Sequence, residues 1–264
     1  MIIVTGGAGF IGSNIVRGLN EEGRTDILIV DDLNEGDKFK NLLGLRYLDY
    51  KHKDDFLAEI QEGIYDGIDI EVIFHQGACS DTMEYDCNFM METNYEYSKA
   101  LLHFSLSHRI PFLYASSAST YGDGKNGFTE GDKCESALNI YAFSKLAFDR
   151  YVRNILPEAK SQVVGLKYFN VYGPQEHHKG KMASIVYQLY KQVQENGFVK
   201  LFKGIDGYGD GEQLRDFVYV KDLVKVNLWF WRNNANSGVY NCGTGSANTF
   251  KAVAERSEEH TSEL

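Results

Sequence analysis

Apolar and polar positions follow two rhythms along this chain, and the rhythms take turns. Short apolar runs at Ile2-Ile3-Val4, Ile27 to Val30, Glu71 to His75, Ile110 to Tyr114 and Val163 to Tyr168 have the length of buried strands. Each is followed by a polar turn and an amphipathic stretch of helical period, which predicts parallel strands joined by helical crossovers. The stretch from Met83 to His108 predicts one long helix whose apolar face holds Met90, Met91, Tyr95, Tyr97, Leu101, Leu102 and Phe104. Beyond Tyr168 the pattern loosens into a Gly-Pro turn at Gly173-Pro174, a helix near Met182 to Glu195 and a glycine-laden loop from Gly204 to Gly211. That change predicts a smaller lobe over the carboxyl ends of the strands, where open α/β sheets bind ligands.

The first strand runs into Thr5-Gly6-Gly7-Ala8-Gly9-Phe10-Ile11-Gly12, with glycines at G-x-x-G-x-x-G spacing between a strand and an amphipathic helix. Gly6 permits a tight turn, Gly9 removes a Cβ that would collide with a pyrophosphate, and Gly12 lets the helix pack close to the sheet. The helix N-terminus then faces the phosphates. The second strand ends at Asp31-Asp32, where an acid accepts hydrogen bonds from an adenosine ribose diol and favours NAD over NADP. Lys38 and Lys53 lie downstream, and the residues alone leave open whether they neutralise a 2′-phosphate or are solvated surface lysines.

The fold class this predicts is α/β: a Rossmann-type doubly wound parallel sheet with a smaller C-terminal substrate lobe. The dinucleotide-binding part is expected over residues 1–170 with 215–241 returning to it, and the partial substrate lobe over 171–214 and 242–255.

A formal net charge of −10 argues against nucleic acid or an anionic membrane surface as partner, so anionic substrates must be met by local Lys and Arg. No apolar run of about 18 residues and no signal-peptide pattern occurs, which predicts a cytoplasmic protein. The four cysteines, Cys79, Cys87, Cys134 and Cys242, form no C-x-x-C pair and no metal-ligand spacing, so reduced, mostly buried thiols and no metal are expected.

A second motif follows the Ile110 strand: Tyr114-Ala115-Ser116-Ser117-Ala118-Ser119-Thr120-Tyr121-Gly122, then Tyr141-Ala142-Phe143-Ser144-Lys145. A Y-x-x-x-K pair places both side chains on one helix face, about 5–6 Å apart at their Cβ atoms. An ammonium near a phenol favours the phenolate and is expected to pull the tyrosine's pKa down from about 10. Such a phenol exchanges protons with a carbinol while a nicotinamide carries out the redox change, and the Ser117 hydroxyl completes the hydrogen-bond set.

These motifs, in this order, resemble the extended short-chain dehydrogenase/reductase family, largely nucleotide-sugar epimerases, dehydratases and reductases, over the chain up to about Glu255. The resemblance implies a catalytic set of Ser117, Tyr141 and Lys145. A closer resemblance, to the branch that inverts C6″ of ADP-linked heptoses for lipopolysaccharide inner-core synthesis, is carried by four stretches. These are Met1 to Asn14, Phe74 to Ser80, Tyr168 to Pro174, and the distinguishing run His178-Lys179-Gly180-Lys181-Met182-Ala183-Ser184. It implies Lys179 as a second acid/base, because each face of a transient 6″-ketone needs its own proton donor. Which of Tyr141 and Lys179 serves oxidation stays open, and from the residues alone Lys179 reads as a surface lysine.

The resemblance further implies that Gly6, Gly9, Phe10, Ile11, Gly12, Asp31, Asp32, Lys38 and Lys53 surround the adenosine half of the cofactor, with Gln76, Gly77, Ala78, Cys79 and Ser80 at the end of the fourth strand. Lys145 and Val171 lie toward the nicotinamide. Thr93 stands where the family usually has the first of two asparagines, and its hydroxyl can still donate one hydrogen bond. Implied substrate contacts are Asn170, Lys181, Gln188, Phe202, Lys203, Gly204, Ile205 and Arg215, the last suited to the ADP phosphates by its bidentate fork. Lys181, Gln188 and Ile205 stand where serine, histidine and serine are familiar.

NADP is the expected cofactor, with NAD open; the partners implied are a nucleotide-sugar substrate and copies of the same chain in a homo-oligomer, a pentamer by resemblance. The alternatives are an epimerase of the UDP-hexose 4-epimerase type and a non-catalytic dinucleotide-binding sensor. A 4,6-dehydratase would carry an Asp-Glu pair where this chain has Ala118-Ser119. Relatives continue beyond Ala254, whereas residues Arg256 to Leu264 match the translation of the sequencing-adapter stretch AGATCGGAAGAGCACACGTCTGAACTC. The tail is therefore expected to be non-native.

Overall fold

A computed structural model describes residues 1–33, 36–205 and 207–262, with side chains to residue 256. Its strands are β1 (Ile2–Thr5), β2 (Ile27–Asp31), β3 (Asp49–His52), β4 (Val72–His75), β5 (Phe112–Ser117), β6 (Val163–Tyr168), β7 (Asn170–Tyr172), β8 (Leu214–Tyr219), β9 (Gly238–Cys242) and β10 (Ala247–Thr249). Seven of them form one sheet in the order β3-β2-β1-β4-β5-β6-β9. Every pairing in it is parallel. The expected doubly wound architecture is present, with the order of strands reversing between β1 and β4.

The helices are α1 (Phe10–Glu21), α2 (Lys53–Gln61), α3 (Cys87–Met91), α4 (Tyr97–His108), α5 (Ile140–Ile155), α6 (Ile185–Asn196), α7 (Val220–Arg232) and α8 (Phe250–Ser262). Alternation along the strands sorts the core into two layers. Ile2 and Val4 join Ile15, Leu19, Leu223 and Leu228 on the α1/α7 side. Ile3 joins Phe56, Leu101, Phe104 and Phe148 on the α2/α4/α5 side.

The long helix expected from Met83 begins four residues later, at Cys87, because Asp86 caps it by accepting from the Phe89 amide at 2.9 Å. A π turn at Glu92–Glu96 joins α3 to α4. The second sheet has the order β10-β8-β7. Of the segment 215–241, α7 and β9 lie with the large sheet, while β8 pairs parallel with β7 and antiparallel with β10. Backbone of α8 continues through Ser262; the side chains after residue 256 lie outside the described residues. Cys134 and Cys242 are buried, Cys79 is half-buried and Cys87 exposed, all four as free thiols. Among the described residues no helix is long and apolar enough to cross a membrane.

Candidate active site

The turn after β1 lies at the strand-order reversal, and its backbone accounts for its glycines. Gly6 has φ +65°, a conformation costly for residues with a Cβ, and a Cβ there would meet the Gly77 nitrogen at 2.6 Å. At Gly12 a Cβ would fall 2.1 Å from the Gly6 carbonyl oxygen, so this glycine lets α1 close on the turn itself rather than on the sheet. Gly9 differs: a Cβ there would meet only Gly6, at 3.1 Å from its oxygen. No side chain caps α1 at Gly9, which leaves its first amides free for an anion.

Asp31, at the end of β2, is buried and has three partners. Its carboxylate accepts from the Ala8 amide at 2.7 Å and the Asp32 amide at 2.6 Å, and it pairs with the Lys38 ammonium at 2.5 Å. Lys38 also donates to the Asp32 carbonyl. Lys53, at the start of α2, pairs with Asp54.

At the end of β4, the loop carrying Gly77, Ala78, Cys79 and Ser80 is held by a hydrogen-bond relay. The Gly77 amide donates to Thr5 Oγ1, which bonds His75 Nδ1 at 2.6 Å; His75 Nε2 bonds Ser98 Oγ at 2.8 Å, and that hydroxyl donates to the Asn94 carbonyl. Because the Ser98 hydroxyl donates to Asn94, it accepts from His75, so Nε2 carries a proton. Burial, aided by Lys145, pushes the His75 pKa down to about 3. Asn94 clamps Cys79 from both sides, accepting from its amide and donating to its carbonyl, and donates to Ser144 on α5. Thr93 is half-buried on the π turn, and the residue of that turn tied into the site is Asn94.

Ser117 ends β5, and α5 begins beyond it with Asn139 as cap. Burial raises the Tyr141 pKa, while a side-chain hydrogen bond with Ser117 opposes the shift. The lowering by Lys145 expected from the Y-x-x-x-K spacing is not what the structure shows. The Lys145 ammonium donates instead to the Ala115 carbonyl at 2.9 Å, and burial pushes its own pKa down to about 8 against the pull of Asp149. Behind this pair, fully buried Lys167 bonds Asp149 and Thr120 at 2.7 Å, and Tyr114 and Ser116 also donate to Asp149. That network fixes α5 against β5 and β6.

Lys179 lies on a short helical segment, His177–Met182, with its ammonium 5.4 Å from the centroid of the Phe10 ring. Burial lowers its pKa, and Glu176 acts in the opposite sense. Buried Glu176 organises the segment by accepting from the Gly173 amide, the Ser184 amide and the Ser184 hydroxyl. The structure thus brings Lys179 to the dinucleotide turn, its contacts being with Phe10 and Glu176.

The remaining predicted residues lie on the second sheet, on α6 and on the loops around them. Asn170 is exposed and donates to the Asp216 carbonyl; Val171 follows it on β7. Gln188 donates to the carbonyls of Lys181 and Ala183. Phe202 packs on Phe250, Lys203 accepts from Gln213, the Gly204 amide donates to Asp210, and Ile205 is exposed. Arg215 is exposed, with its guanidinium over the Phe250 ring.

The model of the NAD dependent epimerase/dehydratase family matches residues 2–243. The chain belongs to that family. Solved structures agree. The Helicobacter pylori ADP-L-glycero-D-manno-heptose-6-epimerase is 35% identical with a TM-score of 0.85, over 98% of this chain and 81% of that one. The UDP-glucose 4-epimerase of Thermotoga maritima, solved with UDP-glucose, is 27% identical with a TM-score of 0.81, over 99% and 82%. The UDP-glucose 4-epimerase of Thermus thermophilus, solved with NAD, is 26% identical with a TM-score of 0.77, over 99% and 83%.

The chain's own residues fit the dinucleotide that this family's name implies. Gly9 keeps clear the space a Cβ would fill, and the Gln76 Nε2 donor at the end of β4 is buried with no partner among the described residues. Asn94, His75, Ser98 and Glu176 were not picked out from the sequence as site residues. His75 lies inside the Phe74 to Ser80 stretch and Asn94 beside Thr93, but their ties cross segments far apart in the chain, such as the 70 positions between Thr5 and His75, whereas Glu176 bonds Gly173 and Ser184 nearby. Among the described residues no group of three His, Cys, Asp or Glu side chains could hold a metal ion.

Proposed function

We propose that this family member is a nucleotide-sugar epimerase that inverts C6″ of an ADP-linked heptose, interconverting ADP-D-glycero-D-manno-heptose and ADP-L-glycero-D-manno-heptose. The observation that carries the reading is the placement of Lys179, in the run His178 to Ser184, against Phe10 of the dinucleotide turn. The 35% identity to the Helicobacter pylori heptose epimerase supports it.

A bound nicotinamide dinucleotide supplies the reversible oxidation of the substrate carbinol. The Gly6–Gly12 turn and the α1 amides hold its pyrophosphate, and Asp31, Asp32 and Lys38 meet its adenosine ribose. The Lys38–Asp31 pair places a cation beside the acid that would otherwise repel a 2′-phosphate, which favours NADP over NAD in this reading. Gln76 to Ser80, Thr93, Lys53 and Val171 complete the contacts. Tyr141 exchanges the proton of the substrate hydroxyl on one face of the carbonyl carbon, with Ser117 donating to its oxygen as the phenolate develops. Lys145 holds the ribose of the nicotinamide. Lys179 moves the proton on the opposite face, a task eased by the burial that lowers its affinity for a proton. On the substrate side Asn170, Lys181, Gln188, Phe202, Lys203, Gly204, Ile205 and Arg215 bind the ADP-sugar.

A second reading, an epimerase of the UDP-hexose 4-epimerase type, is favoured by the likeness to the two UDP-glucose enzymes. Lys179→Met separates the two. In a heptose epimerase it stops net epimerisation, by on the order of 10²-fold or more, while a carbonyl analogue of the substrate is still turned over on the face Tyr141 serves. Near-normal epimerisation by Lys179→Met would return Lys179 to the surface and remove the heptose reading.

A further inference from the structure

The segment carrying Lys179 is clasped to the adenosine side of the dinucleotide cradle by one buried residue. Asn41 lies on the helical turn Lys38–Leu42, three positions after the lysine that pairs with Asp31. It is 1% exposed, and its Nδ2 reaches the Ala8 carbonyl at 3.0 Å, the Gln175 carbonyl at 3.3 Å and His178 Nδ1 at 3.1 Å. Two of those three partners are backbone carbonyls, which fixes which end of the carboxamide is nitrogen. In return Gln175 Nε2 donates to the Asn41 carbonyl, and Asn14 of α1 donates to the Pro174 carbonyl. One side chain therefore touches the dinucleotide turn at Ala8 and the neighbour of Lys179 at His178.

The clasp is not relaxed. Gln175 holds a left-handed φ of 78°, one of two residues other than glycine with positive φ among the described residues. The Asn41 Oδ1 and Gln175 Oε1 acceptors are both buried without a partner. A buried amide serving packing alone is ordinarily satisfied at both ends, and unmet acceptors together with strained backbone are the marks of a segment with a second arrangement.

We propose that Asn41 is a positioning residue that couples occupation of the adenosine end of the cradle to the placement of Lys179. The proposal rests on the dinucleotide reading above. Neutral His178 can accept at Nδ1, in keeping with burial and the neighbouring Lys38, His177 and Lys179, which push its pKa down to about 4. A dinucleotide that engages Lys38 and Asp31 orders the 38–42 turn, and through Asn41 it orders His177 to Met182.

Hydrogen–deuterium exchange on the full chain, stripped of dinucleotide and then saturated with NADP⁺, tests the coupling without reference to turnover. In wild type NADP⁺ is expected to slow exchange both at Gly6 to Gly12 and at His177 to Ala183. In Asn41→Ala it slows the first segment alone, the lost protection in the second amounting to about fivefold, the equivalent of one net hydrogen bond. Should Asn41→Ala fail to fold, His178→Ala removes only the last link and is expected to give the same split to a smaller degree. Slowing of His177 to Ala183 that persists in both variants overturns the proposal, as does slowing at Gly6 to Gly12 alone in wild type, which leaves the dinucleotide reading standing. No slowing at either segment in wild type removes the dinucleotide reading and the proposal with it.

Discussion

Gly9 and Gly12, neighbours in the same fingerprint, should fail in opposite ways when given a methyl group. At Gly12 the new Cβ would sit 2.1 Å from the Gly6 carbonyl oxygen, 2.7 Å from its carbon and 2.9 Å from Gly7 Cα. All three are backbone atoms, so relief requires the turn to open by on the order of 1 Å. Overpacking of that kind costs about 1–3 kcal/mol or more, and alanine's better helix propensity returns at most about 1 kcal/mol. A net loss of about 2 kcal/mol lowers the midpoint of a chain this size by about 4–8 °C. Gly9 has φ −73° and ψ 178°, open to alanine, and its Cβ meets only Gly6. Gly9→Ala is therefore expected to melt within about 2 °C of wild type, yet to bind NADP⁺ and NAD⁺ about 5- to 150-fold more weakly, the same overpacking now falling on the ligand. Thermal unfolding followed by circular dichroism without dinucleotide, beside calorimetric titration with it, measures both effects. Wild-type melting of Gly12→Ala, or undiminished dinucleotide affinity of Gly9→Ala, would refute the assignment of one glycine to packing and the other to the ligand.

Tyr141→Phe keeps the ring and removes the ionisable hydroxyl, so turnover is expected to fall about 10²- to 10⁴-fold with an unchanged melting curve; an active variant would take the phenol out of the chemistry. Lys145, with its pKa pushed down to about 8, is charged only below that, so turnover should decline as pH rises through about 8. The unfolded chain keeps this proton up to the ordinary 10.5, so its contribution to stability grows between pH 8 and 10.5; urea midpoints should lose that component in Lys145→Met. His75 is held neutral down to about pH 3 while the unfolded imidazole takes its proton near 6.5, so this group's stabilising contribution is lost as pH falls from 6.5 to 3. An imidazole resonance for His75 that titrates near 6.5 by NMR would contradict the buried relay.

The parts of the site that lie within one strand, turn or helix were readable from the chain itself. β1 and its glycine turn are contiguous, and Tyr141 and Lys145 share α5 because their spacing is one helical turn. Asp86 was a legible cap for α3, but the apolar face of the helix obscured it. What depends on distant pairing was not legible: the Thr5–His75–Ser98 relay, the Asn94 clamp on Cys79 and the contact between Asn41 and His178, 137 positions apart. The direction of the Tyr141 shift failed for the same reason. Spacing places Lys145 near the phenol, yet only the fold shows its ammonium turned to the Ala115 carbonyl and the phenol partly desolvated. The Leu214–Tyr219 strand was likewise unassigned, because its partners β7 and β10 are the short strands Asn170–Tyr172 and Ala247–Thr249, both outside the large sheet.

NMR of the anomeric signals decides whether this chain inverts C6″ of an ADP-linked heptose, as proposed. The full-length protein is incubated separately with ADP-D-glycero-D-manno-heptose, ADP-L-glycero-D-manno-heptose and UDP-glucose. Either heptose epimer alone is expected to evolve to the same mixture of both, with no lasting change in nicotinamide absorbance, while UDP-glucose is unaltered. Formation of UDP-galactose with both heptose epimers untouched would contradict it.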